Sequence, residues 1–96
     1  MNISLVKFGT TLTSRQLGKE AYLAFRPNLS ALSGEEQLFV DFEGVITFSP
    51  SWGDEFLTPL MKEYGKRLIL QNTDNISVRA TLELLEEINK SKFTII

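Results

Sequence analysis

Two serines near the middle of the chain are the residues best placed for chemistry. Ser49 and Ser51 flank Pro50, and this order predicts the start of a helix, since serine is a favoured N-cap and proline is favoured at the first helical position. A hydroxyl there can cap unpaired backbone N–H groups, or it can carry a phosphate that those groups and the helix dipole stabilise. Asp54 and Glu55 follow in the first turns, where they favour the helix but would repel a phosphate. Capping and phosphorylation are both consistent with this pattern.

Other candidate binding residues lie before and after these serines. Arg15 is expected near the start of the first helix, where it pairs with Asp41 or with an incoming anion, or stays a solvated surface side chain. Trp52 is expected in the core, and if exposed it is the best hot-spot candidate in the chain. The candidate residues for binding a partner or a phosphate are therefore Arg15, Asp41, Ser49, Ser51, Trp52, Asp54 and Glu55, with Ser51 as the candidate phosphorylation site.

The composition narrows the kinds of activity. The chain has no histidine and no cysteine, which excludes Ser-His-Asp and Cys-His catalysis, imidazole and thiolate metal sites, and disulfides. Its six glycines form neither a dinucleotide-binding nor a Walker A pattern. An enzyme built from this sequence would have to work with carboxylates, hydroxyls, lysine and arginine alone. Together with the strand–turn–helix motif described below, this leads us to expect a protein that is not an enzyme and binds no metal or cofactor.

The charge and the length of the chain restrict the expected class of partner and the expected cellular location. The 96 residues suffice for one domain, spanning 1–96, and the net charge of −2 comes without a basic run. We therefore expect no nucleic-acid partner. No apolar stretch approaches the roughly 20 residues that span a bilayer, and the first residues lack the features of a signal peptide. A cytoplasmic location is expected, while the oligomeric state is left open.

Strand and helix patterns alternate along the chain. The order β-α-β-α-β-α, with a closing strand if 93–96 is not an apolar tail, predicts an α/β fold. Its mostly parallel or mixed four-stranded sheet is covered by helices. The expected strands are 3–8, 38–42 and 67–70, with 45–48 as an extension or a short edge segment; the expected helices run from a cap at Thr13 or Ser14 to Arg26, from 50 to 64, and from 76 to 90.

Two of these helices carry more detailed expectations. Pro59 should remove one backbone hydrogen bond and kink the helix over 50–64, or end it early. In the helix over 76–90, the glutamates should be solvated. The residues expected to face the core there are Ile76, Ala80, Leu84, Leu85 and Ile88.

The strand–turn–helix segment over 40–52 resembles the STAS domains of bacterial anti-sigma factor antagonists. Asp41-Phe42-Glu43-Gly44-Val45 matches that family's strand end, and Ser49-Pro50-Ser51-Trp52 stands where the family has Asp-Ser-Ser-Gly. The resemblance places Ser51 at the family's phosphorylated serine. Ser49, Pro50 and Trp52 depart from the family's residues at their positions.

A group of uncharacterised bacterial STAS-like domains is similar over nearly the whole chain. The shared residues are Gly9, Ser14-Arg15, Asp41-Phe42-Glu43-Gly44-Val45 and Pro50-Ser51-Trp52-Gly53-Asp54-Glu55-Phe56. This resemblance implies a STAS-like fold and a regulatory, non-enzymatic role. The implied partner is an anti-sigma factor or a histidine-kinase-like ATPase, bound at the N-terminus of the helix over 50–64.

Two alternatives belong to other functional classes. The segment also resembles the first motif of haloacid-dehalogenase-type phosphatases, in which Asp41 would be the nucleophile, Glu43 the general acid/base, and Mg²⁺ would neutralise the phosphate. Glu43 replaces that family's second aspartate, and the motif follows the second strand instead of the first. The other alternative is a small-ligand or nucleotide sensor at the carboxyl ends of the strands.

Overall fold

Six short strands and three helices make up the fold, in a computed structural model that describes all residues, 1–96. The strands are β1 (Asn2–Ser4), β2 (Thr11–Leu12), β3 (Leu38–Asp41), β4 (Thr47–Phe48), β5 (Leu68–Leu70) and β6 (Thr94–Ile95). The helices are α1 (Arg15–Phe25), α2 (Pro50–Tyr64) and α3 (Ile76–Asn89), with 3₁₀ turns at Leu5–Phe8, Arg26–Ala31 and Gly65–Arg67.

The main sheet has four strands in the order β1-β3-β5-β6, and every neighbouring pair is parallel. This confirms the predicted α/β fold, and Thr94–Ile95 answers the open question of 93–96 in favour of a strand. β2 and β4 form a second, two-stranded parallel sheet, so Thr47–Phe48 does not extend β3. Local patterns did not predict this pairing, because each of its strands has only two residues and Thr11–Leu12 shows no recognisable strand pattern.

All three helices are inferred to lie on one face of the main sheet. The connections β1-α1-β3, β3-α2-β5 and β5-α3-β6 advance across it in one direction, and right-handed crossovers then place each helix on the same side. Burial agrees, since Ile3, Val40 and Leu70 share one register row and lie in the core. In the next row, Asn2 is exposed, Phe39 is half-buried, and Ile69 is buried but lies outside the core cluster. The parallel strands therefore end at one edge, where the helices begin.

Aromatic rings fill the space between the sheet and α2. Trp52 is 1% exposed and stacks on Phe56, with 5.0 Å between the ring centroids. Phe8 and Phe48 pack against Trp52 at centroid distances of 5.9 and 5.7 Å. α1 crosses this layer at Gly18, where a Cβ would lie 2.7 Å from the Trp52 carbonyl oxygen. Only a residue without a side chain allows the two helices to approach so closely.

The predicted first strand over 3–8 is wrong after residue 4. Residues Leu5–Phe8 form a 3₁₀ turn, in which side chains three apart lie on the same side. Leu5 is fully buried, and Phe8 contacts the rings of Trp52 and Phe56. A strand would alternate the faces of these side chains, so the turn brings both to the core.

The predicted core face of α3 is also wrong except at Leu85. Ile76 is 82% exposed and Ile88 is 62% exposed, while Ala80 and Leu84 are exposed as well. Residues spaced by four drift around a helix of 3.6 residues per turn, so such a row cannot stay on one face. The buried residues follow three- and four-residue steps instead and are Val78, Thr81, Leu82 and Leu85.

α2 continues through Pro59 to Tyr64, so the predicted helix over 50–64 is confirmed and the alternative of an early end is wrong. α1 ends at Phe25, within the predicted bound, but Arg26 keeps α-region dihedral angles (φ −49°, ψ −41°) and the chain continues through Pro27 as a 3₁₀ turn, so the expectation that Pro27 biases Arg26 away from the α region is wrong. The N-cap of α1 is Ser14, whose hydroxyl accepts a hydrogen bond from the Leu17 N–H. No helix combines the length and the apolar character needed to cross a membrane.

Candidate functional site

Ser49 closes the N-terminus of α2 and ties it to the end of β2. Its hydroxyl accepts a hydrogen bond from the Trp52 N–H at 3.3 Å and donates one to the Thr13 carbonyl at 2.8 Å. Its own carbonyl accepts from the Gly53 N–H at 2.9 Å. The Ser49 side chain is therefore a helix cap, as the order Ser49-Pro50 predicted.

Ser51 is the second residue of α2 and has a different environment. Its side chain is half-buried, and neither its hydroxyl nor its backbone N–H forms a hydrogen bond within the chain. Every fully buried side-chain polar atom of the protein has a partner, so the unbonded Ser51 hydroxyl reaches solvent. A donor or acceptor on another molecule can therefore bind it, together with the adjacent N–H at the positive end of the helix.

Arg15 connects the first turn of α1 to the second turn of α2. Its Nη1 lies 3.1 Å from Asp54 Oδ2 and 3.0 Å from Glu55 Oε1. The predicted pairing of Arg15 with Asp41 is wrong. The hydrogen bonds that Arg15 donates to Asp54 and Glu55 raise the pKa of its guanidinium above its already high ordinary value, so this residue stays charged. All three side chains keep part of their surface in water, with 54% of the Arg15 side chain exposed.

The ionic contact continues inward through neutral side chains. Asp54 Oδ1 accepts a hydrogen bond from the hydroxyl of Thr58, one turn further along α2, at 2.9 Å. The Asn89 amide of α3 donates to the Thr58 hydroxyl at 3.4 Å and to the Leu85 carbonyl at 2.8 Å. This polar row links all three helices. Sequence analysis missed Thr58 and Asn89, although Thr58 lies four residues after Asp54, the spacing of neighbours on one helix face.

Asp41 has a structural task at the end of β3. Its carboxylate accepts a hydrogen bond from the Glu43 N–H at 2.9 Å, which shapes the turn that leads to Gly44. Gly44 has φ of +89°, a conformation that residues with a Cβ rarely adopt, and Val6 leaves little room for a side chain there. Asp41 is not joined to Arg15, Asp54 or Glu55 by any hydrogen bond or ion pair.

Trp52 is not a surface residue. Its side chain is buried in the aromatic layer beneath the N-terminal turns of α2, so it is unavailable to a partner and its inclusion among the contact candidates is wrong. The helical period turns it inward, while Ser51, Asp54 and Glu55 keep part of their surface accessible. Nowhere in the chain do three or more Asp or Glu side chains gather closely enough to hold a metal ion.

α3 forms hydrogen bonds to the segment that precedes α2, on the side away from α1. The Phe48 N–H donates to the Ser77 hydroxyl at 2.9 Å, and the Phe48 carbonyl accepts from Thr81 at 2.6 Å and from Ser77 at 3.2 Å. Asn75, the N-cap of α3, donates its amide to the carbonyls of Val45 and Ile46 at 2.8 and 3.1 Å. These hydroxyl and amide groups fix the segment that leads into α2, and sequence analysis did not identify them.

Comparison with known proteins adds no relative. No family model, no curated protein and no solved structure matches the chain. The resemblance to STAS domains therefore rests on the sequence motifs and stays a prediction. The geometry of α2's first two turns, with Arg15 beside them, is the observation on which a functional proposal can be based.

Proposed function

We propose that the chain is a non-enzymatic regulatory domain that presents the N-terminal turns of α2 to a protein partner. The observation that carries this proposal is the Ser51 hydroxyl, which is free of intramolecular hydrogen bonds and open to solvent. Ser49, two residues earlier, already caps the helix. Ser51 is therefore not needed as a cap and is free for an external contact or for modification.

The positive charge of Arg15, held beside Asp54 and Glu55, supports a switch by phosphorylation of Ser51. Ser51 precedes Asp54 by three residues and Glu55 by four, so all three lie on neighbouring positions of the helix surface. A phosphate adds roughly −1.5 to −2 charges beside these carboxylates. Arg15 already contacts both carboxylates, and arginine binds phosphate strongly through paired N–H donors. Phosphorylation of Ser51 would draw Arg15 away from Asp54 and Glu55 and change the surface that a partner meets.

The identity of the partner follows from the resemblance to STAS domains. We propose an anti-sigma factor or a histidine-kinase-like ATPase that contacts Arg15, Ser51, Asp54 and Glu55. The interaction would take place in the cytoplasm and would involve no nucleic acid. Both partner classes are proteins, and the ATPase could also phosphorylate Ser51.

The test is the affinity of the purified chain for such a partner encoded in the same genome, measured by calorimetry with Ser51→Asp. We expect a loss of about tenfold, or ~1.4 kcal/mol, because the added carboxylate places a third negative charge on this surface. The matched control is Ser91→Asp, since Ser91 is an exposed serine after the end of α3. It should leave the affinity unchanged.

Mass spectrometry after incubation with ATP and the ATPase tests the phosphorylation itself. The modification should map to Ser51 and disappear in Ser51→Ala. If neither Ser51→Asp nor Arg15→Ala alters partner binding while both proteins stay folded, the N-terminal turns of α2 are not the contact surface.

A further inference from the structure

A groove between α1 and α2 lies next to the proposed contact surface but is distinct from Ser51. It has a volume of about 360 Å³ and is lined by Lys19, Tyr22 and Leu23 of α1 and by Glu55, Thr58, Pro59 and Lys62 of α2. Leu23 is 52% exposed and Tyr22 is half-buried, so the groove offers apolar surface to solvent. It begins at Glu55, where the Arg15 ion pair ends.

The groove is positive although the chain as a whole has a net charge of −2. Lys19 and Lys62 are exposed, and neither forms an ion pair within the chain. Glu55 is the one acidic residue in the lining, and Arg15 already binds its carboxylate. Arg15 is shared between Glu55 and Asp54, so the lining carries two ammonium groups against one carboxylate, a net charge of +1 beside the apolar side chains.

Pro59 contributes to the apolar surface of the same groove. In a helix, the N–H of residue 59 would donate to the carbonyl of Glu55, but proline has no N–H and places its ring there instead. Pro59 and Glu55 both line the groove.

We propose that this groove binds an acidic peptide segment of a protein partner that inserts an apolar side chain. The apolar residue would pack on Tyr22, Leu23 and Pro59, and flanking carboxylates would pair with Lys19 and Lys62. The inference rests on the proposed function, since it names the chemistry of the protein that the domain binds.

Charge complementarity distinguishes this groove from the other exposed apolar surface. On α3, the exposed row of Ile76, Leu84 and Ile88 is accompanied by charges of both signs, such as Arg79 and Glu83. That row gives no indication of what would cover it. The α1–α2 groove combines apolar side chains with unpaired charges of a single sign, which specifies an acidic occupant.

The experiment uses the full ¹⁵N-labelled chain and short synthetic peptides in which a leucine or phenylalanine is flanked on both sides by aspartate and glutamate. Two comparison peptides carry lysine in place of the acidic residues, or glycine in place of the apolar one. We expect the acidic apolar peptide to shift the amide signals of Lys19, Tyr22, Leu23 and Lys62 in a saturable way. The comparison peptides should bind at least about tenfold more weakly.

Charge reversal separates the groove from general attraction. Lys19→Glu combined with Lys62→Glu should abolish the shifts, whereas the control, Lys66→Glu combined with Arg79→Glu, makes the same change of charge outside the groove and should retain them. Ser51→Asp should also retain them, which distinguishes failure of this inference from failure of the contact at Ser51. Equal loss in both charge reversals, shifts on α3 instead, or no saturable binding by folded protein would each overturn the proposal.

Discussion

Two contacts position the N-terminal turns of α2, and they depend on different physical interactions. On one side, α1 packs on α2 where Gly18 meets the Trp52 backbone, and Arg15 adds an exposed ion pair. On the other side, α3 holds the segment before α2 through hydroxyl groups, with Ser77 and Thr81 bonded to the backbone of Phe48. The first contact depends on the absence of a side chain, and the second on specific polar atoms.

The difference shows how each contact can fail. The α1–α2 contact has no spare volume, so it should tolerate loss of charge at its exposed end but not added atoms at its centre. The contact between α3 and β4 is buried, so it should tolerate small changes of shape but not an unpaired carbonyl. Substitutions on the two sides should therefore rank by steric conflict first, buried hydrogen bonds second and exposed charge last.

Gly18→Ala should have the largest effect. The new Cβ would lie 2.7 Å from the Trp52 carbonyl oxygen and 2.9 Å from its Cα, so one helix has to move. We expect a loss of about 3 kcal/mol in the free energy of unfolding, although alanine itself favours a helix by about 1 kcal/mol over glycine. Urea denaturation measures it. Gly34→Ala is the control, because no atom lies within 4 Å of a Cβ there; equal losses in both variants would contradict the close crossing.

Thr81→Val should cause the next largest loss of stability. Thr81 is 2% exposed, and its hydroxyl donates to the Phe48 carbonyl at 2.6 Å. Valine keeps the shape but leaves that carbonyl with only the longer bond from Ser77, so we expect a loss of about 2 kcal/mol. Thr13→Val, at an exposed position, should change stability by less than about 0.5 kcal/mol. A Thr81→Val protein as stable as the parent would show that the Thr81 hydroxyl is not needed to hold β4 against α3.

Substitutions of the two serines at the start of α2, Ser49 and Ser51, should have smaller effects on stability, and each variant serves as a control for the other. Ser49→Ala removes the cap on the Trp52 N–H and the bond to the Thr13 carbonyl, and should cost about 1 kcal/mol. Ser51→Ala removes a hydroxyl with no bond inside the chain, so it should leave thermal and urea midpoints unchanged. If Ser51→Ala proved the more destabilising of the two, the assignment of cap and free hydroxyl would be reversed.

Sequence predicted the parts of this site that depend on neighbours in the chain. The helix start at Ser49-Pro50 and the cap of α1, predicted at Thr13 or Ser14 and found at Ser14, are local signals, and the structure confirms them. The turn at Gly44 is of the same kind. Each depends on backbone groups within a few residues, so no knowledge of the tertiary fold is needed.

Contacts between distant segments escaped prediction. Pairing with Asp41, an incoming anion and a solvated surface position were the alternatives for Arg15, and none of them named Asp54 and Glu55, because the crossing of α1 over α2 decides which carboxylates it reaches. That crossing depends on Gly18, whose role in packing leaves no periodic signal in the sequence. The pairing of β2 with β4 was also not predicted, because strands of two residues leave no recognisable pattern in the sequence.

The buried face of α3 shows a different limit of sequence-based prediction. The helix contains two apolar rows, and the row predicted to be buried, with Ile76 and Ile88, is exposed to solvent. The buried row includes Thr81, a polar residue that a hydrophobic pattern passes over, and its hydroxyl is satisfied by the Phe48 carbonyl. A buried threonine can be recognised only when its distant acceptor is known.

Arg15→Ala should have the smallest effect on stability. The size of this effect tests whether the exposed Arg15 ion pair is needed to hold α1 against α2. The pair is exposed to water, and Arg15 also lies at the first residue of α1, where a positive charge opposes the helix dipole. Loss of the ion pairs and relief at the dipole have opposite signs, so the unfolding midpoint should hardly move. Any remaining difference should shrink as salt is added, because exposed charges are screened.

The control for this last variant is Lys66→Ala, which removes an exposed positive charge outside both proposed contact surfaces without breaking an ion pair. Both variants should unfold at nearly the same urea concentration, while only Arg15→Ala should weaken the proposed partner contact. A large, salt-independent loss of stability in Arg15→Ala alone would mean that the arginine is needed to hold α1 against α2. The proposed transfer of Arg15 to a phosphate on Ser51 would then cost the domain its fold, and Arg15 could not serve as a switch.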